Sequence, residues 1–146
     1  MLAHRLSSGK LSSSKLSSSK NIEDSFIGRA SQIKAGLCAF FNIMDEWDID
    51  ISQGKILLGN MKNTRFHELK KLKSGNLSDD ELDRLSYIIG IYTALKILFS
   101  DRNAKLWLHN NNQDPLFCGK SPLNYMLSGK LVALSDVRRY LDAARG

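Results

Sequence analysis

Ser78-Asp79-Asp80-Glu81-Leu82-Asp83-Arg84-Leu85-Ser86-Tyr87-Ile88-Ile89-Gly90-Ile91-Tyr92-Thr93-Ala94-Leu95-Lys96-Ile97-Leu98-Phe99 is the stretch that decides the fold. Ser78 and Glu81 have the spacing of a capping box: the serine side chain can accept from the N3 amide while the N3 glutamate reaches back. Asp79, Asp80 and Glu81 place negative charge at the positive end of the helix dipole. Apolar residues then recur at three- and four-residue spacing, with Leu82, Leu85, Ile89, Tyr92, Leu95 and Phe99 as the expected stripe of one long helix. The apolar part, Tyr87 to Phe99, is interrupted by Lys96 and falls short of the ~18 residues of a membrane span, so no membrane partner is expected.

The same periodicity extends in both directions, and no run alternates as a half-buried strand would, so the chain reads as all-α. Upstream, Ile33, Leu37, Phe40, Phe41, Met44 and Trp47 form one apolar stripe that ends near Asp45, Glu46, Asp48 and Asp50. Ser52 is expected to cap a short helix running to Leu58 and closed by Gly59. Asn63 or Thr64 is expected to cap the next, with Phe66, Leu69 and Leu72 buried and Ser74-Gly75-Asn76 as its stop. Downstream, Asp101 opens a helix with Leu106, Trp107 and Leu108, and Asn110 to Pro115 should loop. Ser121-Pro122 is an N-cap followed by proline at the first helical position, opening a short helix Leu123–Leu127 that ends at Ser128-Gly129. A last helix offers Leu131, Leu134, Val137, Leu141 and Ala144 to the core and Arg138, Arg139 and Arg145 to its other face.

The chain has 146 residues, 42% hydrophobic and 25% charged, a size and balance that suit folded domains and exclude a fibrous or wholly disordered protein. Such a length buries roughly two-thirds of its unfolded surface, enough for a core without disulfides or metal. Residues 6–20 are a five-residue repeat, Leu-Ser-Ser-Gly-Lys and then Leu-Ser-Ser-Ser-Lys twice, too short and polar to stack into a repeat fold. With Arg5, Lys10, Lys15 and Lys20 and no acid, this tail holds +4 of the net +6, and the remainder is nearly neutral. An acid-free, Ser-rich start resembles a transit peptide, but Leu2, Leu6, Leu11 and Leu16 do not share a helical face, and no apolar secretory core follows Met1. A cytoplasmic protein is expected.

Cys38 and Cys118 stand far apart with no CxxC, and His4, His67 and His109 have no ligand or triad spacing. Two reduced, at least partly buried thiols, no metal, no cofactor and no enzyme activity are expected. Gly119-Lys120-Ser121 ends like a phosphate-binding loop, but Asp114 stands where that motif needs its first glycine.

Between Ser52 and Lys73, a short helix, a glycine turn and a second helix have the layout of a helix-turn-helix. The second helix region carries Lys62, Arg65, Lys70, Lys71 and Lys73 against Glu68 alone. In such a motif the N-terminal end of the second helix meets base edges while basic residues meet phosphates. Asn63, Thr64, Arg65 and His67 are the base-side candidates, with Lys62, Lys70 and Lys71 on the backbone. A half-site of a few base pairs implies a homodimer on a palindrome.

Three sets of residues carry a family resemblance: Ile56-Leu57-Leu58-Gly59 with Asn63-Thr64-Arg65-Phe66-His67; Leu82 to Leu95 with Phe99, Asp101 and Trp107-Leu108; and Pro115 to Leu123 with Met126, Gly129 and Val137 to Asp142. Over about residues 30–146 and in this order, the chain resembles the Xre/ParS/MbcA family of type II antitoxins. Position 118 is Cys where that family usually has a small residue, mostly Gly. After the tail (1–21), which its composition makes a flexible basic segment, the resemblance implies an Xre-like helix-turn-helix domain that binds operator DNA (22–77) and, through the long central helix, a small helical toxin-binding domain (78–146). It also implies a partner of the RES-domain class, a toxin that consumes or transfers ADP-ribose from NAD, covered at its active site by the antitoxin's C-terminal part. Lys120, Ser121, Arg138, Arg139, Arg145 and the carboxylate of Gly146 are the candidate toxin contacts. The alternatives are a stand-alone helix-turn-helix regulator whose C-terminal domain senses a small ligand, and an interaction module that has lost DNA binding.

Overall fold

A computed structural model describes residues 28–146. The tail and its repeat, and residues 22–27 of the expected first domain, lie outside the described residues. Among the described residues every regular element is a helix: α1 over 28–46, α2 Ile51–Leu57, α3 Asn63–Leu72, α4 Asp79–Leu98, α5 Asp101–His109, α6 Pro122–Met126 and α7 Leu131–Arg145. The fold is all-α. Residues 33–146 form one compact unit, and the expected boundary at 77/78 falls inside it.

Helix α4 starts as its sequence requires: the Ser78 hydroxyl accepts from the Glu81 amide at 3.1 Å and the Glu81 carboxylate accepts from the Ser78 amide at 2.8 Å. Its buried face is broader than the expected stripe. Leu85 and Leu95 are buried, but so are Ile88, Ile91 and Ala94, while Leu82, Ile89, Tyr92 and Phe99 are only partly covered. The cause is packing on two sides. Helix α7 lies along α4, and α1 packs on it as well, where a Cβ at Gly36 would touch Leu85 and Ile89 at 3.7 and 4.0 Å and Trp47 meets the Tyr92 ring at 6.1 Å. One apolar stripe is what a helix on a surface shows; a helix covered from two directions hides more of its circumference.

The expected stripe of α1 is buried throughout, from Ile33 to Trp47. Two cap assignments change. Asp50, not Ser52, caps α2, in a capping box with Gln53, which leaves Ser52 exposed within the first turn. The α3 N-cap is Lys62, with no side-chain cap, so neither Asn63 nor Thr64 fills that role. Leu72 is 62% exposed rather than buried. At about 100° per residue the Phe66–Leu69 face has turned away by position 72 and returns at 73. There Lys73 closes the helix in the left-handed region (φ +53°) with its ammonium 4.4 Å over the Phe41 ring.

Helices α5, α6 and α7 fall where the sequence puts them. Ser100 caps α5 and Ser121 caps α6, with Pro122 at the start of its first turn. In α7, Leu134, Val137 and Leu141 are buried and Leu131 partly so, but Ala144 is exposed with the rest of the last turn, and Ala133 is buried instead. The loop expected over Asn110 to Pro115 runs on to 121, and it is closed: the Asn112 carbonyl accepts from the Gly119 amide at 2.9 Å and its amide donates to the Lys120 carbonyl at 3.1 Å. The reversal passes through Cys118 (φ +50°) and Gly119 (φ +87°).

Both thiols are free, with Cys38 half-buried but Cys118 exposed, contrary to the expected burial of both. A left-handed non-glycine residue costs about 1–2 kcal/mol, offset in part by glycine's larger unfolded-state entropy. Cys118→Gly should therefore raise stability by about 0.5 kcal/mol, a melting temperature increase on the order of 2 °C. A lowered midpoint in a thermal melt would contradict this account of the loop.

Candidate functional site

The turn between α2 and α3 is tight because Gly59 (φ +94°) and Asn60 (φ +59°) both occupy the left-handed region and the Met61 amide returns to the Lys55 carbonyl at 3.0 Å. Gly54 lets α2 approach α1 and α3 closely; a Cβ there would crowd Met44 and come 3.0 Å from the Phe66 ring. Helix α3 is thereby held by Phe66 and Leu69, both buried, and its opposite side faces outward. Asn63, Thr64, His67, Lys70 and Lys71 are exposed and fall within an arc of about 120° at helical spacing, with Lys62 exposed at its start. Among the described residues no acid pairs with Lys62, Lys70 or Lys71, and Lys55 adds its ammonium 3.4 Å from the Asn63 side-chain oxygen. Six of the seven expected DNA-side residues thus share one exposed cationic surface.

Arg65 does not join them. Its guanidinium forks onto both oxygens of the Glu81 carboxylate, one of these bonds at 2.7 Å, and also donates to the Asn76 carbonyl at 2.7 Å. Burial alone would raise the Glu81 carboxyl, but hydrogen bonds from Arg65 and Ser78 outweigh it and hold the group below its ordinary range. The bond to Glu81 likewise raises Arg65. Both partners are ionised at neutral pH.

Farther along α4, two more arginines are used inside the fold. Arg84 is buried, paired with Asp80 at 2.7 Å and donating to the Gly129 carbonyl at 2.9 Å, which ties α4 to the turn before α7. Sequence reasoning missed it, although the four-residue spacing of Asp80 and Arg84 was a signal for the first bond. Arg138 lies across α4 at Gly90, where any Cβ would overlap its guanidinium, and its Nε bonds both oxygens of Asp142 at 3.0 and 3.2 Å.

The expected toxin-side residues therefore separate. Arg139 (side chain 72% exposed), Arg145, Lys120 and Gly146 reach solvent; Arg138 is half-buried against α4; and Ser121 is buried with its hydroxyl accepting from the Asn124 amide. Acids interleave the arginines. Asp136 bonds Arg139 at 2.9 Å and Tyr125 at 2.7 Å, while Asp142 lies between Arg138 and Arg145, 3.8 Å from the latter. The terminal helix presents alternating charges, not a purely basic face.

Under these charges lies an aromatic cluster. Phe99, Trp107 and Tyr140 stack in sequence at 6.4 and 6.2 Å, and Phe117 meets Trp107, Tyr125 and Tyr140 edge-on at 5.8, 5.6 and 5.3 Å. The Tyr140 hydroxyl donates to Asp114 at 3.2 Å. Burial and the Asp114 charge raise Tyr140, and the bond to Asp136 with burial raises Tyr125, so both phenols stay protonated donors. A cleft of about 420 Å³ opens beside α5, floored by Trp47, Tyr92, Leu95 and Ala104 and rimmed by Glu46, Lys96, Asp101, Arg102 and Lys105. Among the described residues no cluster of His, Cys, Asp and Glu could hold a metal, and no helix is long and apolar enough to cross a membrane.

Comparison with known proteins bears on the C-terminal half most directly. Residues 94–146, from the end of α4 through α7, match the family model of the antitoxin Xre/MbcA/ParS C-terminal toxin-binding domain. An uncharacterized protein of Sinorhizobium fredii, y4oB, is 39% identical over 118 residues, covering 80% of this chain and 89% of the relative. No solved structure matches the chain. The aromatic cluster and the exposed end of α7 thus lie within residues that match an Xre/MbcA/ParS antitoxin toxin-binding domain, and over most of its length the chain belongs to one family with y4oB.

Proposed function

We propose that the chain neutralises a toxin of the RES-domain class through the exposed end of α7, and that as a homodimer it represses its own operon by laying α3 on operator DNA. What carries the toxin part is the match of residues 94–146 to a toxin-binding domain whose α7 ends in an exposed turn. Arg139, Arg145, the Gly146 carboxylate and Lys120 are the contacts in this reading. A pocket shaped for the pyrophosphate of NAD suits an arginine-tipped helix end, because guanidinium groups bond such acceptors in pairs. Ser121 is left out because α6 uses its hydroxyl, and Arg138 because α4 and Asp142 hold it. What supports the DNA part is the cationic surface of Lys62, Asn63, Thr64, His67, Lys70 and Lys71 behind a tight turn. The chain acts by binding, in the cytoplasm where toxin and operator are both found, without cofactor or catalysis of its own.

The test is co-expression with the product of the adjacent gene, scored by growth. Removing all of 131–146 would also remove Leu134, Val137 and Leu141 from the core, so the informative variant changes only the exposed turn. Arg139→Glu combined with Arg145→Glu should abolish rescue while the melting temperature stays within a few degrees of wild type. Full rescue by that folded double variant would sink the assignment of these contacts.

A further inference from the structure

Resting on the DNA reading of α3, we infer that Arg65 and Glu81 together form the positioning device that sets the angle of the recognition helix, and that Arg65 is not a base reader. Three observations carry this. Arg65 lies at the third position of α3, but at about 100° per residue it projects well away from the arc that holds Asn63, Thr64, His67, Lys70 and Lys71. Its fork is already filled by both oxygens of Glu81 and the Asn76 carbonyl, so it would have to leave three bonds to reach a base. Its partner is no loose surface acid: Glu81 is buried and is the N3 member of the Ser78 capping box that starts α4.

The pair therefore joins the first turn of α3 to the first turn of α4 across the connecting segment 73–78. Helix α4 is packed on by both α1 and α7, so it is the fixed frame against which α3 is aimed. A small rotation of α3 would carry the arc off the groove without unfolding the protein, because Phe66 and Leu69 still hold the helix to the core.

The test is a cycle of three variants, Arg65→Ala, Glu81→Gln and both together, titrated against DNA from upstream of the chain's own gene and against a scrambled duplex. Glutamine at N3 still satisfies the capping box, so Glu81→Gln keeps the start of α4 and is the variant to rely on should Arg65→Ala fail to fold. Each single variant should lose about tenfold in operator affinity, and the double should be no worse than either, as coupled partners behave. The ratio of operator to scrambled binding should fall in Glu81→Gln with an unchanged salt slope, since no phosphate-contacting cation is lost. A pair that mattered only for stability would leave that ratio unmoved below the melting temperature, and that result would overturn the inference. So would unchanged or tighter binding by Glu81→Gln beside a weakened Arg65→Ala, the pattern of a reading arginine set free. Absence of operator binding by the wild-type chain would instead refute the DNA reading, and the inference with it.

Discussion

Phe117→Ala is expected to lower the unfolding free energy by about 3–5 kcal/mol, the usual cost of emptying a fully enclosed phenyl site. Phe117 is 1% exposed and meets three rings edge-on, those of Trp107, Tyr125 and Tyr140. It is also the fully buried apolar side chain of the 110–121 loop, with Leu116 only partly covered beside it. Removing the ring leaves a cavity between α5, α6 and α7 and frees the loop at once. Domains of this kind have only about 5–15 kcal/mol in hand, so the variant should sit near the threshold of folding. Urea denaturation followed by tryptophan fluorescence would measure it directly, because Trp107 lies against the deleted ring. A loss under about 1 kcal/mol would mean that the cluster is not packed as described.

The second large effect concerns binding. Replacing Lys62, Lys70 and Lys71 together by alanine should weaken operator binding by about 10²–10³ at low salt and flatten the dependence of log K on log salt by about one unit per lysine for each bound protomer. All three are exposed, and among the described residues none pairs with an acid, so the folded state should scarcely change. Fluorescence anisotropy across a salt series separates the two quantities. A slope equal to that of wild type would show that α3 does not lie on the phosphate backbone, whatever the affinity does.

The toxin side of the molecule was only partly legible in its residues. The resemblance led to the expectation of a toxin-binding domain over 78–146, and residues 94–146 match the family model of such a domain. The three arginines of α7 looked alike as a helical face, yet they have different surroundings. Arg138 is held because Gly90 leaves room for it on α4; Arg139 and Arg145 meet acids at short range and remain at the surface. Nothing in the pattern of α7 could distinguish them, because the deciding atom is the missing Cβ of a residue on another helix.

Ser121 illustrates a different confusion. The residues Gly119-Lys120-Ser121 invite a binding role, but Ser121-Pro122 was equally readable as a helix start, and the helix start is what the hydroxyl serves. Cys118 runs the other way: its left-handed φ gives a physical reason for the glycine expected at that position and makes the departure a small local strain.

By itself the sequence determined the all-α class, the Ser78–Glu81 box, the Ser121-Pro122 start, the α1 stripe and the exposed basic character of α3. These depend on residues three or four apart, where backbone geometry alone brings side chains together. Only the tertiary structure decided which charges are available to a partner. Arg65 meets Glu81 across 16 residues and Arg84 meets Gly129 across 45, and such pairings depend on how α4 is enclosed by its neighbours. An arginine's charge can be read from its letter; whether it is already used depends on what the fold places beside it, and that is set by packing at long range.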